Sequence, residues 1–185
     1  MLDRARHYLL RILDALADDI TQGVPVIALE PACASVFKVE LTELLPHNAQ
    51  ARRLSQQVFL LSEFVERNPL AFAFGRLQRK AQVHGHCHEK SIFGMQSLQS
   101  VLQRIALDTS MPDAGCCGMA GSFGFEKAKY DVAMRCGERA LLPAVRDSAD
   151  DTLMIATGYS CREQIVQSTG RRVLHPAQVM KMALQ

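Results

Sequence analysis

The chain has 185 residues, 48% of them apolar, 22% charged and 6% aromatic, with six Cys and no Trp. That composition supports one ordinary domain or two small ones around a real core, and it excludes a disordered chain. With 21 Lys and Arg against 19 Asp and Glu, the formal charge is +2, which leaves no basic surplus for nucleic acid or an anionic membrane.

Residues 1–20 break their apolar positions with Asp and Arg, so they form neither a signal core nor a membrane span, and no other segment spans either. Leu2, Ala5, Leu9, Ile12, Leu13, Leu16 and Ile20 instead recur at helical spacing and predict an amphipathic helix. Gly23 and Pro25 punctuate the chain before a short buried strand over 26–29, which ends in Glu30-Pro31-Ala32-Cys33. Ser35 caps a predicted helix to about residue 45, Pro46 breaks it, and a second helix is predicted over 49–66. Residues 68–80 read as a linker or edge segment.

A second unit starts near residue 81. Residues 81–85 predict a strand that delivers His86, Cys87 and His88, followed by a helix over 91–105. The next stretch, MPDAGCCGMAGSFG over 111–124, holds four Gly and the adjacent pair Cys116-Cys117. A long helix is predicted over 125–142, stopped by Pro143. Residues 152–157 form the strongest strand signal and end in Gly158-Tyr159-Ser160-Cys161, with a helix over 162–167 behind them. Val173 and Leu174 predict a last short strand, and Pro176 opens a terminal helix. The alternation of short buried strands with amphipathic helices argues for an α/β fold of parallel sheet covered by helices. Cys33, Cys87 and Cys161 each follow a predicted strand, at the end where ligands bind in such sheets.

The six Cys fall into three groups. Cys136 shares a helix face with Phe125, Val132 and Ala140 and reads as a core residue. Cys33 stands at a helix start, where a core residue and a ligand or reactive thiol are both open readings. Cys116 and Cys117 lie between Gly115, Gly118 and Gly121, a loop whose backbone can approach a bulky ligand closely. With Cys87 and Cys161 they make four thiols, enough for tetrahedral zinc or for one ligand to each iron of a 4Fe-4S cluster; a thiol-disulfide site at Cys116 and Cys117 is the other alternative. Their wide spacing suits the cluster better, with the amides around Gly118, Ala120 and Gly121 beside its sulfides. His84, His86 and His88 would share one face if their strand persists, and His86, His88 and Lys90 would place positive charge beside an anionic cluster. Glu89 reads as a local or solvent-facing partner. Cys usage of this kind fits a reduced, cytoplasmic setting.

HGHCHEKS, AGCCGMAGSFGFE, ATGYSCREQI and GRRVLHP together resemble the cysteine-rich, Cys-Cys-Gly domain of iron-sulfur oxidoreductases. Such domains occur in the C-terminal part of FAD-linked oxidase/iron-sulfur fusion proteins and in iron-sulfur subunits of the glycolate oxidase and anaerobic glycerol-3-phosphate dehydrogenase systems. The resemblance covers about residues 81–178 and implies Cys87, Cys116, Cys117 and Cys161 as metal ligands of an iron-sulfur cluster. PVIALEPACASVFKVEL resembles the closing half of a preceding copy, in which Cys33 matches the last ligand. The expected organisation is therefore a partial cysteine-rich domain over 1–76 and a Cys-Cys-Gly domain over 77–185, three-layered and Rossmann-like, in a fragment of a longer polypeptide. Gly158 stands where the family's usual Cys-x-x-Cys ending has its first Cys, which favours four ligands over five. The implied activity is electron relay, from flavin oxidation of a small 2-hydroxy acid to a quinone or other acceptor. The FAD would sit in the missing part or in a partner subunit, beside an upstream iron-sulfur domain. The module would be part of an oxidoreductase without being a complete enzyme by itself, located in the cytoplasm or at the inner membrane face through its partners.

Overall fold

A computed structural model describes residues 1–184 and shows an α/β fold with two parallel sheets flanked by helices. Helices α1 (Leu2–Ala15) and α2 (Ala17–Gln22) precede strand β1 (Val26–Ala28). A continuous helical path then runs through α3 (Pro31–Ser35), a π-helical turn (Val36–Glu40) and α4 (Leu41–Leu44), with Pro31 in the first turn, where its missing N–H costs nothing. After α5 (Ala49–Gln57) comes strand β2 (Val58–Leu60), which pairs with β1 in parallel, Ile27 against Phe59. Leu9, Leu13, Ile20, Leu41, Leu54 and Val58 form the core of this part.

Helix α6 (Leu61–Arg67) leads past residues 68–79 to β3 (Lys80–His84), then α7 (Gln96–Arg104) and β4 (Asp108–Ser110). Helices α8 (Tyr130–Gly137) and α9 (Leu141–Asp147) precede β5 (Leu153–Ala156), α10 (Tyr159–Thr169), β6 (Val173–Leu174) and α11 (Pro176–Ala183). The all-parallel sheet runs β4-β3-β5-β6. Alternate side chains of its strands feed two cores. Ala81, Val83, Leu153 and Ile155 pack against Val65 of α6, Leu98, Val101 and Leu102 of α7, and Val179 of α11. Met154 and Ala156 face Leu141 and Val145 of α9 and Cys161 and Ile165 of α10. The chain leaves β3 toward β4 on one side and β5 toward β6 on the other, so the C-terminal ends of β3 and β5 border the crevice where strand order reverses. No helix among the described residues is long and apolar enough to cross a membrane.

Several local expectations are corrected. The helix expected over 49–66 is interrupted by β2, whose Val58 and Leu60 are buried; a three-residue strand is too short to disturb a helical apolar pattern. The long helix expected over 125–142 is instead two 3₁₀ turns (Gly121–Phe125 and Lys127–Lys129) followed by α8. Pro143 lies in the first turn of α9, where a proline is tolerated, and stops nothing. Strand β3 ends at His84, so the three alternating histidines do not share one strand face. Strand β4 carried no alternating apolar signal because its residues are Asp, Thr and Ser.

Ile155 is 1% exposed at the centre of the larger sheet. Ile155→Ala is expected to cost about 2–5 kcal/mol, read as a lower midpoint with unchanged slope in denaturant unfolding.

Candidate functional site

Parallel pairing of β3 with β5 sets Val83 against Ile155 and His84 against Ala156. The chain leaving β3 therefore emerges beside the chain leaving β5, and the two exits are tied together. The Thr157 N–H donates to the His84 carbonyl at 3.3 Å, and the His86 N–H donates to the Thr157 hydroxyl at 2.9 Å. Arg162, one turn into α10, donates to the carbonyls of Ala156 at 3.1 Å and Thr157 at 2.9 Å. These bonds hold Cys87 and Cys161 on neighbouring exits. The third contributor is the loop between β4 and α8. Gly118 has φ +97°, a left-handed value that favours glycine, and a Cβ there would collide with the Ala133 carbonyl of α8. The loop thus lies directly on α8. Lys90 reinforces it from the other side by donating through Nζ to the Ala114 carbonyl.

A cleft of about 480 Å³ opens between these segments, lined by His86, Cys87, His88, Cys116, Cys117, Met119, Ala120, Gly121, Ser122 and Phe125, with Tyr159 and Ser160 of α10 and Glu30 and Ala32 from the β1 exit. Cys161 is buried behind this lining and shares a hydrogen bond with Cys117. Cys116 is likewise hydrogen-bonded to Cys87, and its Sγ accepts from the Gly118 N–H at 3.3 Å. Four of the six thiols are thereby paired around one place. Gly118 is buried in the loop behind the lining, whereas Gly121 faces the cleft. Cys33 is exposed on α3, and Ala32 reaches the cleft in its stead.

The thiols differ electrostatically. The hydrogen bond from Cys161 holds the Cys117 thiol down at about 7 against the cost of its burial. The reciprocal bond and burial push Cys161 well up. Burial pushes the more exposed Cys116 to about 11. His84, buried at the end of β3, is lowered to about 4 by desolvation and then by Lys90 and His86. Burial also lowers His86. The imidazole rings of His86 and His88 stack at 5.1 Å between centroids with 16° between planes.

Four residues at this end of the sheet differ from the sequence-based expectation or were absent from it. Glu89, expected as a local or solvent-facing partner, is 1% exposed, and burial raises its carboxyl to about 7. Cys136, expected in the core, is half-buried and lines a second cavity of about 380 Å³ with Cys116 and Arg139; the break between the 3₁₀ turns and α8 moves it off the continuous face that a straight helix would present. Glu30 accepts from the Tyr159 N–H at 2.7 Å, capping α10 from the other sheet. The Glu30-Pro31-Ala32-Cys33 turn mirrors Gly158-Tyr159-Ser160-Cys161 after β5 and was its only signal in sequence. His175, at the N-cap of α11, contacts the Leu29 carbonyl through Nε2 at 2.9 Å and adds a second tie across the same boundary.

Among the described residues, no three His, Cys, Asp or Glu side chains surround a point that a single metal ion would occupy. The cleft offers instead a larger space with soft donors on its walls. Four thiols close to one another, two of them buried, on the N-terminal turn of α10, the β3 exit and a glycine loop, fit a polynuclear thiolate-bound cluster in donor chemistry. Cys87, Cys116, Cys117 and Cys161 are the residues that would hold it.

No family model matches the chain. The chain is 30% identical over 170 residues to D-2-hydroxyglutarate dehydrogenase of Pseudomonas putida, an alignment that covers 91% of this chain and 16% of that protein. It is 27% identical over 187 residues to a subunit of the anaerobic glycerol-3-phosphate dehydrogenase of Escherichia coli, covering 98% of this chain and 46% of that relative. D-2-hydroxyglutarate dehydrogenase of Escherichia coli is 26% identical over 160 residues, or 85% of this chain and 15% of that protein. The chain thus spans less than half the length of these relatives, and the similarity supports kinship with an oxidoreductase family.

Two measurements test the geometry. Gly118→Ala forces a side chain onto the Ala133 carbonyl at a left-handed φ and is expected to cost more than about 1 kcal/mol, with faster alkylation of Cys117 as the loop loosens. Glu89 titrates near 7 in the folded chain against 4.5 when unfolded. The folded state therefore holds the extra proton between those values, and stability falls as pH rises through that window and is level above it. In the metal-free protein, Glu89→Gln should remove that fall, so its stability relative to the wild type rises from pH 4.5 to 7.

Proposed function

We propose that this chain is the iron-sulfur electron-transfer module of an FAD-linked oxidoreductase, with Cys87, Cys116, Cys117 and Cys161 as ligands of one cluster. The observation that carries this reading is the convergence of two strand exits and a glycine loop on a single cleft, each bringing thiols that pair with one another. A cluster bound there supplies one-electron transfer. The chain's own residues keep Cys117 and Cys161 out of water, hold the loop closed through Gly118 and Lys90, and leave Cys87 and Cys116 nearer the surface. Electron transfer needs an entry side of this kind.

The similarity to D-2-hydroxyglutarate and anaerobic glycerol-3-phosphate dehydrogenases supports a parent enzyme that oxidises a small hydroxy compound, a 2-hydroxy acid in our reading. FAD then belongs to another part of the polypeptide or to a partner subunit, with an upstream iron-sulfur domain on the path. A quinone or other carrier accepts the electrons, in the cytoplasm or at the inner membrane face. We read the fold as a three-layer Cys-Cys-Gly domain over 77–185 preceded by a partial copy over 1–76. In that copy the β1 exit with Cys33 corresponds to the β5 exit with Cys161. A thiol-disulfide role for Cys116 and Cys117 is disfavoured: the thiol with the lowered pKa is the buried one, and the exposed one is raised to about 11.

Anaerobic incubation with ferrous iron and sulfide is expected to yield about four irons and four sulfides per chain, with a paramagnetic signal after reduction. Cys161→Ser should abolish or alter that signal. Absence of bound iron after reconstitution, or one tightly held zinc in its place, overturns the proposal.

A further inference from the structure

Residue 158 has no side chain, yet the space in front of it is filled. A Cβ built at Gly158 would fall on the His86 ring, well inside contact distance of Cδ2 and 3.0 Å from Cγ, and would lie 3.3 Å from the Cys161 Sγ. His86 therefore holds the volume that a side chain at 158 would take, next to a cluster thiol. The residue is held at its backbone and at its ring. Its backbone N–H donates to the Thr157 hydroxyl at 2.9 Å, and its Nδ1 accepts from the His88 N–H at 3.2 Å.

The second bond decides the chemistry. An Nδ1 that accepts carries no proton, so in the neutral ring the proton resides on Nε2. Such an Nε2 offers no lone pair to a metal; it is a donor. His86 borders the cleft together with Cys87, Cys116 and Cys117, so the residue that carries this donor belongs to the wall around the thiols.

We propose that His86 is the positioning residue that replaces the side chain missing at Gly158, filling its volume and supplying a neutral Nε2–H donor to the thiolate or sulfide layer without ligating metal. The assignment rests on the cluster reading above. A donor to cluster sulfur favours the reduced, more negative state and raises the reduction potential. Gly158 and His86 are accordingly a matched pair, in which a larger residue at one position requires a smaller one at the other.

Two experiments separate this assignment from its parent. In the metal-free protein, Gly158→Ala should lower the melting temperature, and the same change in a His86→Ala background should cost clearly less; equal costs in both backgrounds overturn the shared-volume half. In the reconstituted protein, His86→Leu should retain the iron and sulfide content of the wild type but titrate at a lower potential, whereas His86→Gln, whose amide still donates, should stay closer to the wild type. Should His86→Leu fail to fold, the His86→Ala/Gly158→Ala double variant is titrated in its place. An unchanged potential in a fully loaded variant overturns the donor role alone, as does a strong nitrogen hyperfine coupling in the wild type, the signature of direct imidazole ligation. A wild-type chain that takes up no cluster overturns the parent reading, and the donor role with it.

Discussion

Parallel pairing of β3 with β5 is the constraint on which the site depends. It places the segment carrying Cys87 beside the segment carrying Cys161, and the Thr157 hydroxyl then locks the two exits through the His86 N–H. Neither exit is regular structure at that point, so its polar groups need partners of their own. Thr157 and Arg162 meet that need from within the site. The same bonds that satisfy the backbone thus set the spacing of the thiols. A cleft wall built on strand ends is held more firmly than one built on loops alone.

The glycine loop is a different solution. It contributes half of the thiols from a segment with little regular structure, and it is placed by close approach: Gly118 lies against the Ala133 carbonyl, where no side chain fits. Lys90 holds the opposite side through the Ala114 carbonyl. One consequence is a division of the adjacent pair, with Cys117 buried toward Cys161 and Cys116 exposed toward Cys87 and the second cavity. Adjacent residues on an extended loop face opposite ways, so the dipeptide presents its thiols in two directions.

The smaller sheet reaches the site through Glu30, which caps α10 and lines the cleft, while His175 binds the Leu29 carbonyl on the other side of the boundary. Glu89 is buried nearby with Ser62 and Thr157 around a cavity of about 20 Å³. Polar groups therefore concentrate where the two cores meet. Apolar contacts also cross the boundary, since Phe93 packs on the core of the smaller sheet and Leu61 and Val65 on that of the larger, and directional bonds add to them.

Period and composition were sufficient for the α/β class and for the strands at 26–28, 80–84, 153–156 and 173–174, because these features depend on local spacing and on residue type. Strands β2 and β4 escaped the sequence reading, the first for its length and the second for its polar residues. Burial of Glu89, the half-buried place of Cys136 beside a second cavity, the reach of Glu30 across to α10 and the occupation of the Gly158 space by His86 were decided by tertiary structure alone. Each depends on which distant segments meet at one end of a sheet, and that is fixed by strand order and crossover, for which no single stretch of sequence carries a pattern.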